Sequence, residues 1–284
     1  MVKMKRILLA DSGTGQTEEM LKFLRDSPLF QQAAITVLHV IAPQVTAQAM
    51  TTQWKDGGEI LARAIQNLDL DPSQSTAMLR EGDPKDVVCR VAEEIDADLI
   101  IMGSRGLKRL ESILQNSVSQ YVFQLASRPM LLVKDDIYAK KVRRILVTLD
   151  PDNTPDFVLE FALAAIQDIS GGELIFVRVD PDLKTVPSAP DIKPEKDPIL
   201  APAVAAAQQR GVKYRCEAPV GKPGARICEL AKDLDVDLLI IGSPERRPSV
   251  ARGLPDLDRL LGQSLSDYVR VYAPCPVLLA RRPE

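Results

Sequence analysis

Two short clusters of glycine and hydroxyl residues are the part of this chain best suited to chemistry. Gly103-Ser104-Arg105-Gly106 follows directly on the apolar run Leu99-Ile100-Ile101-Met102. Nine residues then separate Gly106 from Asn116-Ser117-Val118-Ser119, which opens a helical stretch. Glycine lets the backbone take unusual dihedrals and lets phosphate oxygens approach its amides. A helix start offers free amides, a favourable dipole and, here, two hydroxyls to an anion. With Asp11 after the first apolar run and Val40 after the second, the clusters read as a phosphate cradle facing a carboxylate. Each piece alone has a plain structural reading, since a glycine after a strand is often a turn and a serine at a helix start a cap. The conjunction, the spacing and the place in the fold carry the functional reading.

Composition narrows the alternatives. The 284 residues hold one histidine, His39, which argues against Ser/His/Asp triads and clustered histidine metal sites and is read as a structural or loop-packing residue. Cys89, Cys216, Cys228 and Cys275 show neither CxxC spacing nor a dense framework and are expected as buried, reduced thiols. A formal net charge of −3 argues against a nucleic-acid surface. No run of about 18 apolar residues predicts a membrane span, and the basic, apolar start is interrupted by Asp11, reading as a first strand rather than a signal peptide. A cytoplasmic location is expected.

The elements that would position the clusters come twice. A shift of 139 residues brings Asp96–Ser104 onto Asp235–Ser243 and pairs Asp11 with Asp150, Val40 with Val179, Gly82 with Gly221, Pro84 with Pro223 and Cys89 with Cys228. Near the end the shift becomes 147, matching 116–122 with 263–269, so copy two has gained eight residues. At the start, KRIL at 5–8 matches RRIL at 143–146 better at 138, an ambiguity the sequence leaves open. The boundary falls near Asp135–Lys141, giving domains 1–137 and 141–284.

Copy one reads as strands at about 5–10, 34–41, 74–80, 98–102 and 129–133, with helices at about 17–26, 45–67, 84–96 and 116–127. The strand runs are short and mostly unalternating, as in parallel strands covered on both faces. The fold class is therefore α/β, two tandem doubly wound five-stranded parallel sheets with right-handed crossovers. In such sheets the ligand site lies beyond the carboxyl ends of the strands, where the strand order reverses. In copy two, residues 180–202 carry six prolines and predict a loop rather than a continuous helix. Trp54 is read as packing within the second helix, and the acids Asp96, Asp98, Asp235 and Asp237 as solvated turn residues.

Gly-x-x-Gly, nine residues, then Gly-Ser/Thr is the nucleotide-binding pattern of the universal stress protein family, which this chain resembles over both copies. The resemblance implies the adenine-nucleotide α-hydrolase-like strand order 3-2-1-4-5. It also implies an ATP or ADP ligand, with Mg as a companion of the phosphates, and packing of the two copies through their last strands; homodimerisation of the chain stays open. By position, Asp11, or Ser12 because the first strand runs one residue short, would hold the adenosine together with Val40. The constant shift of 139 favours Asp11. Met102, Gly103, Arg105, Gly106, Asn116, Ser117, Val118 and Ser119 would form the phosphate side, with Asn116 in place of the family's glycine.

Copy two departs further. Glu245 stands at the second loop glycine, Pro244 removes an amide, and Gln263 replaces the later glycine, so its ligand site is expected to be degenerate. The implied function is a regulatory adenine-nucleotide-binding stress protein with slow or no hydrolysis. An ATP-using enzyme on the same fold, or a ligand-free scaffold, are the alternatives.

Overall fold

Complete burial explains why the apolar runs become strands: Ile7, Leu8 and Leu9, like Leu99, Ile100 and Ile101, have no exposed surface, as expected of strands covered on both faces. The computed structural model describes residues 4–25, 27–104, 117–137, 141–150, 156–180, 193–242 and 264–281. Contacts divide the chain into a unit of Lys3–Lys140 and a unit of Lys141–Arg282.

In the first unit, β1 (Arg6–Ala10), β2 (Ala34–Ile41), β3 (Ser75–Glu81), β4 (Leu99–Ser104) and β5 (Met130–Lys134) alternate with α1 (Gln16–Arg25), α2 (Ala47–Leu68), α3 (Pro84–Glu94) and α4 (Val118–Leu125). The sheet order is β3-β2-β1-β4-β5, with every pair parallel. The order reverses at β1, between β2 and β4. In the second unit, β6 (Arg144–Thr148), β7 (Glu173–Val177), β8 (Lys213–Glu217), β9 (Leu238–Gly242) and β10 (Val277–Ala280) alternate with α5 (Asp156–Ile166), α6 (Ala201–Gln209), α7 (Pro223–Asp233) and α8 (Leu265–Tyr272). Its order, β8-β7-β6-β9-β10, repeats the plan of the first, again through parallel pairs. The expected α/β class and 3-2-1-4-5 order are thus both present.

Four expectations change. First, the strand registers settle the shift at the head of each copy. The amides of Lys5 and Arg6 donate to Asp98 Oδ2 at 2.7 and 2.8 Å; those of Arg143 and Arg144 donate to Asp237 Oδ2 at 2.9 Å each. At the other end of the strand, Asp11 N donates to Leu38 O at 2.9 Å and Leu149 N to Val177 O at 2.8 Å. Leu149 therefore stands level with Asp11, and Asp150 with Ser12. The pairing of Asp11 with Asp150 at a constant 139 fails because the strand heads match at 138.

Second, Asp98 and Asp237 are more than solvated turn acids, since each carboxylate ties down the entry of its first strand. Third, Trp54 is 44% exposed, because α2 turns Gly57, Leu61, Ala64 and Leu68 inward. At Gly57 the helix lies so close to the sheet that a Cβ would sit 2.8 Å from Leu79 Cδ1. Fourth, Cys275 is buried but Cys89, Cys216 and Cys228 are half-buried, and all four are thiols rather than halves of a disulfide.

In the proline-rich stretch, 181–192 lie outside the described residues. Beyond them Pro194–Lys196 form a single 3₁₀ turn, and Asp197 Oδ1 accepts the amides of Ile199 and Leu200 at 2.9 and 3.1 Å before α6 begins. No described helix is long and apolar enough to cross a membrane.

Replacing Asp98 by Ala leaves two strand-entry amides without their acceptor, at an expected cost of about 1–2 kcal/mol in urea unfolding. An Asp98→Ala protein as stable as the parent would show that water replaces the carboxylate without loss.

Candidate functional site

Beyond the carboxyl ends of β1, β2 and β4 the first unit opens a cavity of about 400 Å³, within the range of small-molecule sites. It lies where the sheet order reverses, as expected of a doubly wound sheet. Of the residues singled out by sequence, Asp11, Ser12, Val40, Met102, Gly103, Ser117, Val118 and Ser119 all line it. Arg105, Gly106 and Asn116 lie outside the described residues, as do Pro244, Glu245 and Gln263 of copy two.

The wall at β1 is built by backbone. Asp11 N extends the β1–β2 ladder to Leu38 O, and Asp11 O accepts from His39 Nδ1 at 2.8 Å. A carbonyl only accepts, so Nδ1 carries the proton and the tautomer is fixed. His39 lines the cavity as well as packing: it is held between the strand-one loop and α2, where a Cβ on Gly57 would come within 3.2 Å of its Cδ2. The chain then turns through Gly13 and Gly15, whose φ of +83° and +84° suit glycine. Gly13 N donates to Asp11 Oδ1 at 2.8 Å, and Arg63 Nη2 on α2 donates to Gly13 O at 3.2 Å.

Asp11 is 5% exposed, and its Oδ2 has no hydrogen-bond partner. Burial pushes its carboxyl above the ordinary carboxylate range, opposed by the Gly13 amide, His39 and Arg63. Glu18 on α1, 2% exposed, is pushed up as well, first by burial and then by the charge of Asp11. Its Oε2 accepts from Thr17 Oγ1 at 2.9 Å.

Across the cavity, Gly103 leaves open the space beside Ser12, whose Oγ would lie 3.7 Å from an added Cβ. Ser117 caps α4, its Oγ accepting Gln120 N at 3.2 Å and lying 3.1 Å from Ser119 Oγ. The first helical amides, of Val118 and Ser119, have no carbonyl one turn earlier to bond within the helix, and both residues line the cavity. A buried acceptor on one wall and helix-end donors on the other suit a ligand with N–H or O–H donors at one end and an anion at the other. Among the described residues no group of three His, Cys, Asp or Glu is placed to hold a metal.

Sequence reasoning missed Thr14, Gln16, Asp135 and Glu18. The first three line the cavity, with Gln16 Nε2 donating to Asp135 O at 2.7 Å. The Gly13-Thr14-Gly15 turn was the available signal for Thr14; nothing local marks Glu18 as an acid that feels the charge of Asp11.

The second unit differs at the same places. Leu149 replaces the buried acid, and Arg178 stands level with His39, held by Asp197 at 2.9 Å and Asp180 at 3.3 Å. At the head of α8, Ser264 Oγ accepts Asp267 N at 3.1 Å and donates to Asp267 Oδ2 at 2.9 Å. A carboxylate therefore sits where α4 has the neutral Gln120.

An acid whose folded pKa is raised binds more protons folded than unfolded, so it lowers stability above that range and the penalty fades as pH falls. Asp11→Leu, which copies Leu149, is expected to unfold later than the parent at neutral pH, with the gain shrinking towards about pH 4. A stability difference independent of pH in denaturant titrations would contradict an ionised, buried Asp11.

The Universal stress protein family profile matches residues 3–134 and again 141–281. A universal stress protein of Mycolicibacterium smegmatis is 25% identical across 94% of this chain and 97% of its own. One from Methanothermobacter thermautotrophicus is 27% identical across 47% of this chain and 99% of its own. In fold, the crystal structure of a universal stress protein from Archaeoglobus fulgidus superposes with a TM-score of 0.72 at 22% identity, covering 99% of this chain and 98% of that one. With both halves matched and the shared α/β architecture in each, the chain belongs to the universal stress protein family as a tandem member.

Proposed function

We propose that the first unit binds an adenine nucleotide, ATP or ADP with Mg on its phosphates, and that the chain is a cytoplasmic regulatory stress protein with slow or no hydrolysis. The observation that carries this reading is the cavity at the reversal of the sheet order, which joins the Asp11–Ser12 wall, the open floor at Gly103 and the amide end of α4. The adenosine end lies against Asp11, Ser12 and the backbone of Val40. That Ser12 stands level with Asp150 supports assigning Ser12, rather than Asp11, to the position of the family's aspartate. Asp11 lies one residue earlier and offers its orphan Oδ2 to the same ligand end.

The phosphates lie toward Gly103, Ser117, Val118 and Ser119, with Arg105, Gly106 and Asn116 assigned there by sequence. Helix-end amides and hydroxyls hold an anion without activating water against it, which supports retention over turnover. The second unit keeps a strand-end carboxylate in Asp150 and is read as degenerate on its phosphate side, where Pro244, Glu245 and Gln263 replace the loop donors and Asp267 adds negative charge where a phosphate would approach.

A valine at Gly103 would project into the cavity beside Ser12. In equilibrium dialysis with labelled ATP, the parent is expected to hold one nucleotide per chain and Gly103→Val to bind at least about tenfold more weakly, equivalent to roughly 1.4 kcal/mol. Undiminished binding by a folded Gly103→Val protein would remove this cavity as the site. Rapid release of phosphate by the parent would favour an ATP-using enzyme.

A further inference from the structure

We propose that ligand binding in the first unit is coupled to release of a proton from the Asp11–Glu18 acid pair, so that affinity falls on acidification. The inference rests on the adenine-nucleotide reading and deepens it by adding a regulator of the same site. Asp11 belongs to the cavity wall, 5% exposed, with Oδ2 unpartnered. Glu18, at 2% exposed, lies on the first turn of α1, where its carboxylate accepts the hydroxyl of its neighbour Thr17. Glu18 is buried and its carboxyl feels the charge of Asp11; two buried carboxyls that repel do not both ionise freely, and their protons come off in steps that belong to both.

The groups facing the pair come from three places. From β2, His39 presents Nδ1–H to the Asp11 carbonyl; from α2, Arg63 approaches through Gly13 O; the Gly13 amide holds Asp11 Oδ1. None of these bonds reaches Oδ2. Burial raises both carboxyls, and the charge on Asp11 raises Glu18 further, with His39 opposing at Asp11 and Arg63 opposing at both. A ligand amino or hydroxyl group donates best to the ionised form of Asp11, so binding at acid pH must first expel a proton. The second unit carries Leu149 at this position and has no such linkage.

The test uses adenosine 3′,5′-cyclic monophosphate as probe, because its phosphodiester keeps one charge throughout the range, unlike the terminal phosphates of ATP or AMP. Calorimetry of the full chain from about pH 4 to about pH 8, in two buffers of different ionisation heat, reads affinity and proton release together. The parent is expected to lose affinity on the acid side with a slope approaching tenfold per pH unit, and to release protons there. Glu18→Gln is expected to keep binding at the upper end while the falling limb moves to lower pH. Asp11→Leu is expected to bind more weakly with a flat profile.

A flat profile in the parent, or an undiminished slope in Asp11→Leu, would overturn the linkage while leaving nucleotide binding intact. Absence of binding at every pH, by this probe and by ATP alike, would overturn the adenine reading itself, and the linkage with it.

Discussion

The strand-one carboxyl end must satisfy its backbone in a place where one side chain is a buried acid, and the rest of the first unit's site follows from how it does so. Asp11 N is spent on Leu38 O, its carbonyl on His39 and one carboxylate oxygen on Gly13. These bonds fix the wall, fix the tautomer of the single histidine and fix the turn that leads into α1. They also leave one oxygen over. A buried carboxylate oxygen without a donor is costly unless the group takes a proton or a ligand supplies the bond, and both outcomes point into the same cavity.

The sheet's connectivity explains why donors meet it there. Parallel strands joined by right-handed crossovers bring every strand's carboxyl end to one edge. The reversal between β2 and β4 parts the loops on either side of β1. Gly103 at the end of β4 keeps that gap open, and Ser117 sets the first amides of α4 beside it. Tight packing behind the wall, at Gly57 against β2 and β3, keeps His39 and so Asp11 in register.

Much of this could be read from the chain. Unalternating runs such as LIIM and LLIIG announced buried parallel strands, and the strand at Ala34–Ile41 emerged with the bounds expected of it. Gly103 and Ser117–Ser119 were identifiable because their roles are local: a strand end and a helix cap. The one-residue difference between the strand heads was not settled by identity matching, since an aspartate pairs with an aspartate better than with a leucine; only the ladder bonds show Leu149 level with Asp11. Glu18 was invisible because its neighbour is set by how α1 docks, not by spacing. Trp54 misled through hydrophobicity, where the α2 face chosen by Gly57 decided its exposure. The two units thus share a scaffold while differing in the residues that stand at corresponding strand and helix ends.

A crystal structure of the chain grown with an adenine nucleotide tests this account most directly. The account predicts ligand density in the first unit only, with a base or ribose donor within hydrogen-bond distance of Asp11 Oδ2 or Ser12 Oγ and the phosphates at the head of α4. Nucleotide seated in the second unit, or bound in the first away from both Asp11 and Ser12, would contradict it.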